Sequence, residues 1–450
     1  MTPPKRQLGI VVAAAIVIAN MIGAGVFTSA GLQAAFSFKD PFTMISTWII
    51  GGVIALVGAA VYAELGSIMP RAGGEYVYLR EAYHPAVGFM SGLVSLVAGF
   101  SAPIAAAALL FASYVGALIP ALGGVYGAKV VASVLILAMT ALHAFDTKVG
   151  GRVQTVFTII KVALIVVFIG AGLLVGTGDW AHFAGRNDGL SQLGTGAGAA
   201  NYATALMYVS FAYSGWNAAA YIAGEISEPQ RTLPRALLLG TGIVMALYIG
   251  LNVVFIYAVS PDAMGADPFK HPVGDLAARA LFGERAGDLL SSLIALALMS
   301  TVSAMMMAGP RVYATMAADH ALPKQLAYYS KRGVPIVAVA VQCSLAIALT
   351  LVSSLVELIQ LVGFTLAAFA ALTIGAVFIL RARGRIGAFR TPGYPVTPIV
   401  FIALSAWTVY FGVKQHPYVS LIAVVVLVGA AVLYMDTSRG KTREPIETDE

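Results

Sequence analysis

The sequence predicts an all-α membrane protein with twelve transmembrane helices. Of its 450 residues, 59% are hydrophobic and only 11% are charged, and the mean hydropathy is +0.86. A soluble domain carries roughly 25% charged residues, so this chain lacks the charge to cover a soluble surface. The apolar residues also lie in long runs, and a helix needs about 20 of them to cross a bilayer. These observations place the chain in the membrane.

Twelve runs are long enough to span, and short polar segments separate them. They cover approximately residues 8–36, 41–69, 83–118, 125–145, 150–176, 199–225, 235–260, 287–316, 334–353, 356–382, 395–413 and 417–435. The links between the ninth and tenth runs, and between the last two, are so short that each pair forms a helical hairpin. The longest loops, 177–198, 261–286 and 317–333, are too short for a soluble domain.

The distribution of lysine and arginine predicts the orientation. With both termini inside, most of the 27 basic residues fall on the cytoplasmic side, where short loops carry the Lys/Arg excess. The external segments and span ends hold Lys39, Lys129, Arg186, Lys270, Arg279, Arg285 and Lys414. The protein is therefore expected in the plasma or inner membrane, with both ends cytoplasmic. Topology also explains the pI of about 9.2 without a nucleic acid partner.

Two of the runs are interrupted by small residues at corresponding places. The first interruption is Ile-Gly-Ala-Gly at residues 22–25, and the second is Phe-Ala-Tyr-Ser-Gly-Trp at residues 211–216. Five runs begin with one interrupted run and five more begin with the other. Such a pair indicates the substrate site of a secondary transporter. An odd number of spans in each repeat would make the two repeats inverted.

The chemistry of a broken helix suits a zwitterion. Unpaired backbone groups are tolerated inside a bilayer only where they are buried in protein or line a cavity. The N–H groups that start one half-helix carry partial positive charge and suit a carboxylate. The C=O groups that end the other half suit an ammonium, so a broken pair can hold an α-amino acid. For a lone Gly-x-Gly, close helix packing is the alternative interpretation.

The residues around both interruptions resemble a known family. Residues 20–27, Asn-Met-Ile-Gly-Ala-Gly-Val-Phe, resemble the first-helix signature of the amino acid–polyamine–organocation (APC) transporter superfamily. Residues 211–217, Phe-Ala-Tyr-Ser-Gly-Trp-Asn, resemble the sixth helix of its L-type amino acid transporter branch. Segments 62–65, 70–76, 225–236 and 311–323 agree, so the resemblance extends over essentially the whole chain.

The resemblance implies a LeuT-like fold of two inverted five-helix repeats plus two helices. The repeats would cover residues 1–176 and 199–382, the last two helices would lie in 395–435, and a cytoplasmic tail would cover 436–450. The site would lie at the midplane of the membrane, between the repeats.

The resemblance also assigns the substrate-binding residues. Backbone N–H groups of Gly23, Ala24 and Gly25 would hold the substrate carboxylate, and carbonyls near Ile22, Phe211 and Ser214 would receive its ammonium. Phe211 would close over the bound substrate. The full expected set is Ile22, Gly23, Ala24, Gly25, Phe211, Ala212, Ser214 and Gly215. Ala24 stands where the family usually has serine, which removes a hydroxyl and keeps the N–H groups.

Lys161 is the basic residue that falls inside a span. It lies roughly 13 Å into the fifth run at 1.5 Å per residue, and an intramembrane lysine is by default functional. Snorkelling to the surface is the alternative. By the resemblance, its ammonium would occupy the region that sodium fills in sodium-coupled relatives. It would bridge the first and eighth helices, toward the Ile22 carbonyl and Ser300 or Ser303. Proton coupling and a permanently charged strut both remain open.

The acidic residues and histidines are weaker candidates. Glu64, Glu75 and Glu225 lie near span ends, where gating or loop packing is favoured over substrate contact. The six histidines lie in loops or at span ends and are expected to be solvated. They form no spaced cluster, so neither a metal nor a cofactor is expected.

Elimination predicts a neutral substrate. A cationic amino acid or polyamine needs an acidic residue facing the cavity, and the third run has none while the sixth has none before Glu225. We therefore expect a sodium-independent, alternating-access transporter of neutral L-amino acids, working by exchange or proton coupling. A cationic amino acid or polyamine carrier is the alternative, and a membrane enzyme or channel finds no supporting motif. The lone Cys343 lies in an apolar run, so no obligatory protein partner is expected beyond membrane lipid.

Overall fold

The computed structural model describes residues 8–145, 147–184, 189–268, 272–319, 321–415 and 417–441. Some of the basic residues lie outside these ranges, as does the end of the tail, 442–450: Lys5, Arg6, Arg186, Lys270 and three of the six histidines, His271, His320 and His416. The described chain is helical, and its one β-type pairing is an isolated parallel bridge between Leu8 and Ile226.

The first half of the chain forms eight α-helices. They are α1 (Ile10–Met21), α2 (Ala24–Phe36), α3 (Pro41–Ile68), α4 (Glu75–Ala82), α5 (Pro85–Val94), α6 (Ala102–Leu118), α7 (Val125–Phe145) and α8 (Thr147–Leu174). A π-helical segment, Ser95–Ser101, joins α5 to α6 without a break in the span. Such segments inside α-helices are frequent at functional sites.

The second half adds ten α-helices to the described structure. They are α9 (Gly196–Tyr213), α10 (Ala218–Tyr221), α11 (Pro229–Ala258), α12 (Pro261–Met264), α13 (Val273–Phe282), α14 (Glu284–Ala318), α15 (Ile336–Val352), α16 (Leu355–Ala382), α17 (Val396–Gln415) and α18 (Pro417–Lys441). The loop predicted over 261–286 thus contains two short helices. The short link predicted between the ninth and tenth runs is confirmed, because only Ser353 and Ser354 separate the end of α15 from the start of α16.

Nine helical spans in the described ranges are long and apolar enough to cross a membrane. They are Ile10–Phe36, Pro41–Ile68, Pro85–Gly116, Val125–Ala144, Gln154–Leu174, Pro229–Ala258, Glu284–Ala318, Leu355–Ala382 and Val396–Gln415. Two further apolar helices, Ile336–Val352 and Ser420–Met435, are shorter. The sixth predicted run does not form one continuous helix, because it breaks after Tyr213. The chain is therefore an all-helical, multi-pass membrane protein.

Both predicted interruptions are confirmed. Helix α1 ends at Met21, Gly23 is extended with φ −139° and ψ −151°, and α2 begins at Ala24. Helix α9 ends at Tyr213, and Gly215 takes a φ of +97°, which favours glycine. Because α2 packs on α9 and α1 packs on α10, the two breaks meet in the centre of the bundle.

Candidate functional site

The two interrupted helices contact each other backbone to backbone. A Cβ atom added to Gly25 would lie 2.3 Å from the Cα of Ala212, which is closer than any real contact. A Cβ added to Gly215 would lie 2.9 Å from the carbonyl carbon of Asn20. Only glycine fits at either position, so the small residues that weaken each helix also allow the two breaks to touch.

Tyr248 contacts the C-terminal ends of α1 and α9, the two helices that precede the breaks. This side chain of α11 is fully buried, and its hydroxyl lies 2.6 Å from the Met21 carbonyl and 3.1 Å from the Ala212 carbonyl. Met21 ends α1, and Ala212 lies one residue before the end of α9. Because a hydroxyl has one proton, it donates to one of these carbonyls at a time. Nothing in the local sequence around Tyr248 points to this role.

Lys161 lies at the first break and is 1% exposed. Its Nζ donates to the Ile22 carbonyl at 2.6 Å, to the Thr301 hydroxyl at 3.0 Å and to the Ala19 carbonyl at 3.3 Å. The three N–H donors of the ammonium are therefore matched by three oxygen acceptors. The two carbonyls belong to the C-terminal end of α1, where the helix dipole favours a cation.

The hydroxyl that reaches Lys161 belongs to Thr301, which lies between the two serines named by the sequence. Ser300 accepts a hydrogen bond from Gln154 Nε2 at 3.3 Å, and Ser303 pairs with His143 Nε2 at 2.7 Å. Each residue of a helix is rotated by 100° from the one before it, so these three hydroxyls on α14 have different partners: Gln154 and Lys161 on α8, and His143 on α7. Thr301 Oγ1 also contacts the Ile22 carbonyl at 2.9 Å.

His143 corrects the expectation that the histidines are solvated. Its side chain is 5% exposed and lies between α7 and α14, hydrogen-bonded to Ser303. An intramembrane imidazole needs such a partner, because an unpaired polar group in hydrocarbon costs several kcal/mol.

A cavity of about 90 Å³ lies beside the second break. Phe211, Ser214 and Gly215 are among its lining residues, whereas Ala212 and the four residues 22–25 are not. The reason is the close contact of Gly25 with Ala212, which covers the start of α2. The Phe211 carbonyl accepts hydrogen bonds from the Ser214 N–H at 3.1 Å and its hydroxyl at 2.7 Å. The Ile22 carbonyl is held by Lys161 and Thr301.

The acidic residues near the span ends divide into two kinds. Glu64 is fully buried, and its carboxylate accepts hydrogen bonds from the Arg381 guanidinium at 2.7 and 2.8 Å. The Glu225 carboxylate accepts a hydrogen bond from Arg311 at 2.7 Å. These two carboxylates are paired with arginines. Glu75 instead lines the cavity, and it accepts hydrogen bonds from Tyr62 and Asn217. Glu75 belongs to the short helix α4, which lies outside the third and sixth spans. The absence of acidic residues from those two spans therefore did not reveal it.

The state of Glu75 is expected to make stability depend on pH. Burial raises the pKa of its carboxyl, and the hydrogen bonds from Tyr62 and Asn217 lower it by less. When the pKa of an acid is higher in the folded than in the unfolded state, the acid contributes stability that is fully present below the ordinary Glu pKa of about 4.3. This contribution is lost as the pH rises through the pKa of the folded state. Glu75→Gln keeps the accepting oxygen and cannot ionise. Its melting temperature should therefore be higher than that of the wild type, and the difference should be largest at high pH.

Thermal unfolding in detergent between about pH 5 and about pH 8 measures this difference. We expect the gap between the variant and the wild type to shrink toward the acidic end. A gap that grows on acidification contradicts a buried carboxyl whose neutral form is favoured. Glu357→Gln is the control, because Glu357 is exposed and forms a capping box with Ser354 that glutamine also supports.

Comparison with known proteins identifies the family. The family model described as "Amino acid permease" matches residues 8–438, which is nearly the whole chain. The chain belongs to the amino acid permease family. The permease is thus a member of the APC superfamily, as the motifs around the two breaks indicated.

Three relatives match most of the permease. It is 32% identical over 404 residues to the serine/threonine exchanger SteT of Bacillus subtilis (strain 168), with 89% of each chain covered. It is 27% identical to the large neutral amino acids transporter small subunit 2 of Oryctolagus cuniculus, with 96% of the permease and 80% of the relative covered. It is 24% identical to the Asc-type amino acid transporter 1 of Mus musculus, with coverage of 96% and 81%. All three relatives are named as transporters or exchangers.

Proposed function

We propose that the permease exchanges neutral L-amino acids across the membrane without sodium, by alternating access between two inverted repeats. One observation carries the proposal: the buried Lys161 ammonium bridges the end of α1 to α14 at the break in the first helix. A fixed cation that satisfies these oxygens leaves no need for a sodium ion there. Two relatives support the proposal by name: one is a large neutral amino acids transporter, and the other is a serine/threonine exchanger.

We further propose twelve spans in a LeuT-like arrangement, with repeats at 1–176 and 199–382 and two more helices at 395–435. Adding the broken helix α9–α10 and the two shorter apolar helices to the nine long spans supports this number. The contact between a break early in one repeat and a break early in the other supports the repeat boundaries.

Both termini are proposed to be cytoplasmic. Leu8 hydrogen-bonds to Glu225 and Ser227, so the N-terminal segment lies on the same side as Arg231 and Arg235 in the first two turns of α11. The Lys/Arg excess on that side then supports the cytoplasm.

Substrate binding requires the two breaks to separate. In the closed contact of Gly25 with Ala212, the N–H groups of Gly23, Ala24 and Gly25 are covered, while Phe211, Ser214 and Gly215 already face the cavity. We propose that opening exposes these N–H groups to the substrate carboxylate, and that the carbonyls at the second break receive its ammonium.

We propose that the permease works without a partner subunit, although one relative is named a small subunit. Cys343 is the one cysteine of the chain and is buried within α15. It is therefore not placed to form a disulfide with an external partner. Surrounding lipid covers the exposed apolar faces of α17 and α18.

Exchange in proteoliposomes tests the proposed function. Uptake of labelled alanine into vesicles loaded with amino acid should far exceed uptake into empty vesicles, and should not change when sodium is replaced by potassium. Strict sodium dependence would overturn the role given to Lys161. Uptake into empty vesicles that follows an imposed proton gradient would replace exchange by proton symport.

A cationic amino acid or polyamine carrier is the second candidate, because Glu75 places a carboxyl in the cavity wall. Competition by arginine or putrescine in the same vesicles distinguishes it from a neutral carrier.

A further inference from the structure

Glu75 is brought to the cavity by an unusual turn. Gly73 and Gly74 precede it with φ of +117° and +51°, both in the region that favours glycine. A Cβ added to Gly74 would lie 2.5 Å from the ring of Tyr221, so this turn packs directly under α10. The carboxyl of Glu75, which begins α4 and is 3% exposed, thereby faces the half-helix that follows the second break.

The two oxygens of this carboxyl have different surroundings. Oε1 accepts from the Tyr62 hydroxyl and from Asn217 Nδ2, the latter at 3.0 Å. Oε2 accepts no hydrogen bond from the residues that the structure describes, although a carboxylate has about four acceptor sites. Because Glu75 lines the cavity and Oε1 is taken, Oε2 is the oxygen available to a ligand there.

No cation among the described residues compensates Glu75. The titratable groups that face it are tyrosines: Tyr62 on α3, Tyr78 on α4 and Tyr221 on α10. The nearby Arg71 and Arg80 both pair with Asp319 instead. Leaving a buried carboxyl oxygen without a donor costs free energy, so a donor inside the cavity stabilises this site.

We propose that Glu75 forms a second polar subsite of the cavity, which accepts a hydrogen bond from a hydroxyl on the substrate side chain. This inference rests on the proposed function, and it selects small hydroxyl amino acids among the neutral ones. The other walls are mixed: Phe100, Phe211 and Trp216 are apolar, whereas Asn20, Ser214 and Asn217 are polar. A cavity of about 90 Å³ suits a short side chain. Glu75 is then the residue that determines side-chain specificity, while the two breaks hold the amino acid backbone.

Competition between L-threonine and L-valine tests this subsite, because the two differ by a hydroxyl in place of a methyl. The full-length permease in proteoliposomes should exchange threonine with a kcat/KM about tenfold or more above that for valine, since valine leaves the Oε2 acceptor without a donor. In Glu75→Gln the Oε1 contacts persist, but an NH₂ donor replaces the acceptor Oε2. The threonine-over-valine ratio should fall by about tenfold, while alanine exchange persists.

Three controls separate the outcomes. Glu357→Gln, far from the cavity wall, should keep the wild-type ratio. Glu75→Asp, which withdraws the carboxylate by one methylene, should lower the ratio, and it replaces Glu75→Gln if that variant does not fold. L-2,3-diaminopropionate tests an ammonium as the donor: if it outcompetes threonine in the wild type, the hydroxyl assignment is overturned.

An unchanged threonine-over-valine ratio in Glu75→Gln overturns the subsite alone, because alanine exchange still stands. An equal fall for threonine, valine and alanine also overturns it and makes Glu75 a structural residue. Absence of exchange of any amino acid by the wild type instead overturns the proposed function.

Discussion

Replacing Lys161 with methionine is expected to reduce amino acid exchange by at least about 100-fold, because two or more hydrogen bonds from a charged donor are lost and each 1.4 kcal/mol is tenfold in rate. Methionine has a similar length and no charge. The Ile22 and Ala19 carbonyls lose the ammonium donor, and the end of α1 is no longer tied to α8, so only the Thr301 hydroxyl remains on the Ile22 carbonyl. Initial exchange rates in proteoliposomes measure the loss.

Lys129→Met is the matched control for the Lys161 variant. Lys129 lies on α7 and is partly exposed, and its ammonium contacts the Leu351 carbonyl at the end of α15. Exchange by this variant should match the wild type. Gel-filtration and thermal unfolding establish that Lys161→Met is folded. A folded Lys161→Met that exchanges at the wild-type rate removes the assigned role of the ammonium.

Replacing Gly25 with alanine is also expected to slow exchange strongly, for a steric reason. The new Cβ meets the backbone of Ala212 at 2.3 Å, and backbone atoms cannot turn aside as a flexible side chain does. Overpacking in a core costs about 1–3 kcal/mol, and here the cost falls on the state in which the two breaks touch. If each transport cycle passes through that state, a cost of about 3 kcal/mol slows exchange by about 100-fold.

Gly170→Ala is the control for Gly25→Ala. Gly170 lies within α8, and a Cβ added there meets nothing within 4 Å. Alanine is a better helix former than glycine by roughly 1 kcal/mol, so this variant should exchange normally and melt at the same or a higher temperature. Wild-type exchange by Gly25→Ala would show that the contact between the breaks is not part of the cycle.

The membrane class and the places of the two breaks follow from the sequence. Hydropathy needs only composition and run length, since a bilayer imposes one thickness on every span. The breaks at 22–23 and 214–215 were visible because glycine and its small neighbours weaken a helix locally. The intramembrane position of Lys161 follows from counting residues along one apolar run.

The partners of these residues could not be read from the sequence. Ser300, Thr301 and Ser303 offer equally good hydroxyl acceptors for an ammonium, and only the rotation of α14 against α8 brings Thr301 to Lys161. Tyr248 is one aromatic among many until α11 packs against both breaks. Glu75 appeared to belong to a loop, because the turn at Gly73 and Gly74 that carries it under α10 depends on Tyr221, about 150 residues away in the chain.

Apolar run length, small residues in series and family motifs are enough to predict a polytopic, all-helical permease with two broken helices and a lysine in the membrane. Helix packing alone shows which oxygens hold Lys161, which glycines touch and which carboxyl faces the cavity. These features depend on how each helix is rotated and packed against its neighbours, and a change of one residue along a helix turns a side chain by 100°.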